Sequence, residues 1–317
     1  MVRLSVIAAL VLLISGCANI NIGPSYDKPL KEQVVEEGDS DSKILLLPIE
    51  GTISDVSKPG LLSQAPSLMD KVMMQLKKAE EDKSIKAVLL KINSPGGSVT
   101  SSDILYRELM AFKKRTGKKI LVQMMDVAAS GGYYISLAAD HIQAHPTTVT
   151  GSVGVITMTP DISELMSKIG VEMNVYKSGI NKDIGSPFKQ PSKEDREVFS
   201  GVVSQLAQRF YALVVEHRHL KGEQMDTIKT ARIFSGEDAA KIGLVDSVGY
   251  LSDAYKSACQ SLGEKSCQVI TYRYRKNDNA TVYSPNMALN EAPPLVSLPF
   301  QSYWNRFQSG LYYLYLP

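Results

Sequence analysis

Sulfur and imidazole are scarce in this chain. Its 317 residues hold 3 Cys, 4 His and 1 Trp. A Cys/His zinc site would consume most of that inventory, and the spacings offer none. An excess of charge of one sign is missing too: 35 Lys+Arg face 33 Asp+Glu, a net +2. That balance leaves no electrostatic footprint for nucleic acid, so none is expected as a partner. Hydrophobic residues make up 44%, charged residues 21% and aromatics 7%. These are ordinary globular proportions and exclude wholesale disorder, collagen-like sequence and a polytopic membrane protein. The length suits one large or two modest domains with a sizeable core.

A long hydrophobic run is also lacking at the N-terminus. Arg3 is the sole charge before the apolar stretch Leu4–Ile14, 11 residues against the roughly 20 of a spanning helix. The stretch has signal-peptide dimensions. Ile14-Ser15-Gly16-Cys17 then reads as a lipobox: a branched apolar residue, two small ones, and Cys. The expectation is cleavage before Cys17, lipid on its thiol and amine, and a bacterial envelope protein whose globule lies outside the cytoplasm. The alternative is an ordinary signal peptide that contains a Cys. Two or three acyl chains anchor stably where one is marginal. From Asn19 to Ser42 the chain is polar, punctuated by Gly and Pro and without apolar period, and reads as a tether.

Beyond it, strand and helix signals alternate. Lys43–Ile49, Ala87–Ile92, Lys119–Met124, Ile142–Ala144, Val153–Met158, Glu172–Tyr176 and Val269–Tyr274 read as strands. Helical stretches fall at Leu68–Ala79, Ser102–Arg115, Tyr133–Ala139, Ile162–Ile169, Lys193–Leu220, Gly236–Ile242 and Leu251–Leu262. Such alternation predicts an α/β fold with largely parallel pairing. Past Arg275 the pattern fades. Cys259 and Cys267 enclose a short loop containing Gly263, and in an oxidising compartment are expected to pair, two reduced thiols being the alternative.

Three local signals carry chemistry. Asn93-Ser94-Pro95-Gly96-Gly97 follows a strand and precedes a helix. Paired glycines let backbone N–H groups face a ligand, as in half an oxyanion hole, or simply make a turn needing positive φ. Ala128-Ala129-Ser130-Gly131-Gly132-Tyr133-Tyr134 repeats that setting around a serine. Small flanks let substrate approach Ser130 closely, and free N–H groups at a helix start favour negative charge there. A helix-capping serine is the blander reading. Lys177-Ser178-Gly179-Ile180-Asn181-Lys182 continues through Asp183 to Phe188 in a Gly-punctuated loop. A lysine there is either solvated or, where desolvation favours its neutral amine, a general base. His141, His145, His217 and His219 flank a strand or a helix end, none in a small-residue turn. A serine nucleophile here pairs more naturally with lysine than with histidine.

Taken in order, SPGG, ASGGYY, GSVGVI at 151–156, KSGINKDIGSPF and RIFSGEDAAKIGLVDSVG at 232–249 resemble the SppA-type signal peptide peptidases, Ser/Lys serine proteases of the ClpP/crotonase superfamily. The resemblance spans roughly residues 44–262. It implies a single-copy superhelix of strand-strand-helix units, with Ser130 as nucleophile and Lys182 as general base. It further implies an oxyanion hole from the N–H groups of Gly97 and Gly131, no metal or organic cofactor, hydrophobic peptide substrates and a homo-oligomeric ring. The family is usually held by a transmembrane helix, whereas here a lipid on Cys17 is expected. The division that follows is signal peptide 1–16, tether 17–43, peptidase domain 44–275 and C-terminal extension 276–317. In the extension, Trp304, Phe307, Leu311, Tyr312 and Leu314 are spaced for an amphipathic segment that docks on a neighbour or the bilayer. A non-catalytic envelope scaffold and a crotonase-type acyl-CoA enzyme are the other readings.

Overall fold

The computed structural model describes residues 29–57, 65–274, 277, 279–284 and 311–315. Cys17 and its preceding apolar run, Trp304 and Phe307 lie outside them. In chain order the elements are β1 (Lys31–Glu36), β2 (Ser40–Glu50), α1 (Leu68–Glu81), β3 (Ile85–Ser94), β4 (Gly96–Ser98), α2 (Val99–Thr116), β5 (Lys119–Ala129), α3 (Gly131–Ser136), β6 (His141–Ala144), β7 (Val149–Gly151), α4 (Ser163–Lys168), α5 (Lys193–Arg218), α6 (Glu223–Lys229), β8 (Ile233–Ser235), α7 (Gly236–Ile242), β9 (Ser247–Val248), α8 (Leu251–Gln260), β10 (Cys267–Arg273) and β11 (Tyr312–Leu314).

The main sheet runs β1-β10-β2-β3-β5-β6-β9, with β7 on β5 and β8 on β7. Pairing from β10 through β9 is parallel. A parallel sheet must be covered on both faces, which is why β2 and β3 are continuously apolar. Leu45, Leu47, Val88, Leu90 and Ile92 pack on one face with Val72 and Leu76 of α1 and Leu105 and Leu109 of α2. The alternate residues Ile44, Leu46, Ala87 and Leu89 pack on the other with Leu251, Ala254 and Ala258 of α8. The Cys259–Cys267 disulfide ties α8 to β10, Cα atoms 5.7 Å apart. Capping boxes open α1 at Ser67 and Asp70 and α5 at Ser192 and Asp195. This is the mixed α/β, mainly parallel architecture of a ClpP-like fold.

Three expectations change. The polar stretch read as a tether supplies β1 and the start of β2: Lys31–Glu36 pairs antiparallel with β10 at the sheet edge, where a strand needs no full apolar face. Glu172–Tyr176 forms no strand and is exposed throughout. Its Val and Met alternate correctly, but no sheet edge receives them. The amphipathic reading of the C-terminal extension fails for Tyr312–Leu314, which is extended and paired with β4. Backbone pairing overrode the side-chain period there.

Candidate active site

β3 and β5 run in parallel register, Ile92 opposite Met124 and Ser94 opposite Ala128. Both therefore deliver their following loops to one edge, the carboxyl end, where open parallel sheets bind ligands. The loop after β3 is built by short side chains. Ser94 Oγ donates to Gly51 O at 2.7 Å and accepts from Gly96 N at 3.1 Å. Asn93 Oδ1 accepts from Val127 N at 3.1 Å, joining this loop to β5. Gly96 holds φ +98°, a region open to glycine and costly elsewhere.

Ser130 ends β5 with φ 54° and ψ −114°. Such backbone in a non-glycine residue costs about 1–3 kcal/mol and persists only where surroundings enforce it. Here Ser130 N donates to Gly151 O, and Tyr134 N donates to Ser130 O, both at 2.8 Å. The capping role open to this serine is not taken: its side chain makes no cap hydrogen bond. Gly131 follows at the start of α3. A Cβ there would stand 3.1 Å from Gly97 N and 2.5 Å from Ser102 Oγ, so the two glycine loops touch only because neither carries a side chain. The strained serine, Gly131 and Gly97 are thus brought together.

Lys182 is not brought to them. It is exposed, in a turn closed by Lys182 N donating to Gly179 O at 3.1 Å. Its neighbour Lys177 is engaged, with Nζ 2.9 Å from both Asp183 carboxylate oxygens. Lys189 also binds Asp183 at 3.0 Å and Asp195 at 2.9 Å. Hydrogen bonds from Lys177 and then Lys189 pull the Asp183 pKa down to about 2.

The histidines are occupied elsewhere. His141 Nε2 lies 2.8 Å from Ser247 Oγ, His145 Nδ1 2.9 Å from Thr147 Oγ1, and His217 Nε2 2.6 Å from Tyr106 OH. His219 caps α5 in a left-handed conformation. Burial lowers the His217 pKa. Among the described residues no cluster of three or more His, Cys, Asp or Glu is arranged to hold a metal ion.

Sequence comparison places this geometry. Residues 112–264 match the model of peptidase family S49, and residues 64–150 that of Clp protease. A protein of Enterococcus faecium provisionally named signal peptide peptidase SppA is 38% identical over 249 residues, 78% of this chain and 71% of that one. The chain belongs to peptidase family S49. It is a serine protease. Protease 4 of Haemophilus influenzae is 33% identical over 248 residues, and this S49 peptidase spans 39% of that longer chain. The chloroplastic serine protease SPPA of Arabidopsis thaliana is 32% identical over 219 residues, 32% of its length.

Sequence reasoning passed over the aromatic wall of the peptidase. Tyr134 of α3 and Phe210 of α5 have ring centroids 4.8 Å apart, and Tyr106 of α2 packs edge-on to Tyr134 at 5.6 Å. Tyr134 OH donates to Asp103 Oδ1 at 2.5 Å, and Arg209 binds the same oxygen at 2.7 Å. Burial and that bond push the Tyr134 phenol well above its ordinary range, so it stays neutral. The signal was the Tyr pair in ASGGYY, read only as part of a motif.

Proposed function

We propose that this S49 peptidase is an envelope endopeptidase, anchored by lipid on Cys17, that cleaves hydrophobic peptides such as remnant signal peptides with a Ser130–Lys182 dyad. The observation that carries the reading is the strained Ser130 backbone beside Gly131, with the Gly97 loop against it. Neutral Lys182 takes the Ser130 proton, and Oγ attacks the scissile carbonyl. The N–H groups of Gly97 and Gly131 hold the oxyanion; losing one such donor costs roughly 3–4 kcal/mol in other serine proteases. The amine leaves with a proton from Lys182, and water then hydrolyses the acyl-enzyme.

The exposed setting of Lys182 supports a homo-oligomer in which a neighbouring copy brings its lysine to Ser130. Around Lys182, Leu165, Ile169, Tyr176 and Ile180 are 58%, 65%, 95% and 74% exposed. Apolar side chains gathered at that density mark a surface that a partner covers. The same cover would desolvate the amine.

The test is hydrolysis of fluorogenic hydrophobic peptides by the full chain in detergent, with fluorophosphonate labelling. Ser130→Ala should lose about 10⁴-fold or more of the activity and all labelling. Hydrolysis retained in Ser130→Ala would overturn the reading. Unprocessed precursor in Cys17→Ser is the expected outcome for the anchor, and normal processing would refute it.

A further inference from the structure

The strand Tyr312–Leu314 lies across the site just described. On one side it pairs antiparallel with β4, Tyr312 opposite Ser98, Tyr313 opposite Gly97 and Leu314 opposite Gly96. Val99 N donates to Leu311 O at 3.2 Å and Tyr315 N to Pro95 O at 2.8 Å. On the other side Tyr312 N donates to Ile156 O at 3.0 Å and accepts, through its carbonyl, from Ile156 N at 2.9 Å. The segment is clamped by main chain on both edges. An extended peptide recognised by strand addition is held this way: main-chain bonds supply affinity and pockets under alternate side chains supply selectivity.

The position along the strand is chemically specific. A Cβ on Gly96 would lie 2.0 Å from Tyr313 O and 2.6 Å from Gly131 N. The Tyr313 carbonyl oxygen and the Gly131 N–H thus share the small space left by the missing side chain, beside Gly97. That is the space an attacked carbonyl must enter. The Tyr313 ring is 0% exposed. It stacks on Tyr134 with centroids 4.9 Å apart, meets Phe210 at 4.9 Å, and donates from its hydroxyl to Leu206 O at 3.1 Å. An aromatic slot with a carbonyl at its base fits tyrosine. With the strand in place Ser130 is 1% exposed, so no second peptide reaches it.

We propose that Tyr312–Leu314 is an intramolecular occupant of the substrate groove, seated as a substrate would be, which blocks the peptidase and marks its acyl-side pocket as selective for an aromatic residue. The proposal deepens the reading of Ser130 as nucleophile and rests on it. An occupant tethered to its own site acts at an effective concentration of order mM, so it blocks without tight intrinsic binding.

The decisive experiment measures groove access with the nucleophile removed. In Ser130→Ala, a chain ending at residue 310 should bind a fluorescein-labelled GLYYLYLP peptide. It should bind the same peptide with Ala in place of Tyr313 at least tenfold more weakly. The full Ser130→Ala chain should bind neither. Adding Tyr312→Pro, which removes the N–H that bonds Ile156, should restore binding without shortening the chain. Equal binding by full and shortened chains, or no discrimination against the Ala peptide, would overturn the proposal. With Ser130 intact, the shortened chain should react with a fluorophosphonate at least tenfold faster than the full chain, and equal rates would refute the block. Absence of labelling in both, with peptide binding preserved, would instead sink Ser130 as nucleophile while upholding the groove.

Discussion

From Ala128 to Ala138 every residue around Ser130 is buried, whereas from Ser167 to Lys182 every residue before and including the lysine is exposed. The two segments supply the two halves of one proposed dyad. The serine half is built by the sheet: β3 and β5 in register, two glycine loops in contact, and a backbone held at positive φ by bonds from Gly151 and to Tyr134. The lysine half has one six-residue helix, α4, and a surface cluster of Lys177, Asp183, Lys189 and Asp195. Within one chain, then, the nucleophile and its oxyanion donors are prepared, and the base is presented outward. The contrast teaches that strain and close packing can be stored intramolecularly, while desolvation of a lysine on an open segment needs a second surface.

The strongest way to break that contrast is to remove the two lysines in turn. Lys182→Ala should lose about 10³-fold or more of peptide hydrolysis with far-UV circular dichroism unchanged, because the residue is exposed and its side chain holds nothing described. Lys177→Ala should lose far less, since Lys177 braces Asp183 rather than the reaction. Equal losses would mean the segment acts as a fold unit and Lys182 has no special role.

Gly131→Ala sharpens the other half. Its Cβ would press on Ser102 Oγ and Gly97 N, an overpacking that costs about 1–3 kcal/mol of stability. Activity should fall by more than that figure implies for folding, because the N–H it displaces is a proposed oxyanion donor. Thermal melting beside kcat separates the two, and a stable, fully active Gly131→Ala would remove the donor from the mechanism.

A mid-sized effect belongs to neither half. Cys259→Ser opens a loop of separation 8, for which chain-entropy arguments give about 2.5 kcal/mol. The melting temperature should drop while kcat stays, since α8 and β10 lie on the face away from the glycine loops.

The smallest effect is in pH. The Asp183 carboxyl titrates at about 2 when held by Lys177 and Lys189, against about 3.9 when free. A lowered pKa adds stability that is complete above the free value and vanishes as pH falls through about 2. Proteolytic nicking between 177 and 189 should therefore rise from pH 4 to pH 2 before the core melts. Asp183→Asn should nick at neutral pH as the wild type does at pH 2.

Much of the fold and half of the site are legible in the residues alone. Continuous apolar runs such as Ala87–Ile92 belong to buried parallel strands, and Ser192 with Asp195 reads as a helix start. Ser130, Gly97 and Gly131 stand out because small residues between strand and helix have few other uses. β1 is not legible, because an edge strand with one side open carries no clear apolar alternation. Tyr313 is not legible either: its ring lies with Tyr134 and Phe210, which are 179 and 103 residues away in sequence.

The sequence by itself determined the class of chemistry and the parallel sheet. Glycine spacing, apolar runs and capping residues act over a few positions, and their meaning is set by local sterics and hydrogen bonding. Only the tertiary structure decided that Ser130 is strained rather than capping, that Lys182 faces outward, and that Tyr313 closes the site. Each of those depends on which distant backbone comes within hydrogen-bond reach, and chain order does not encode that distance.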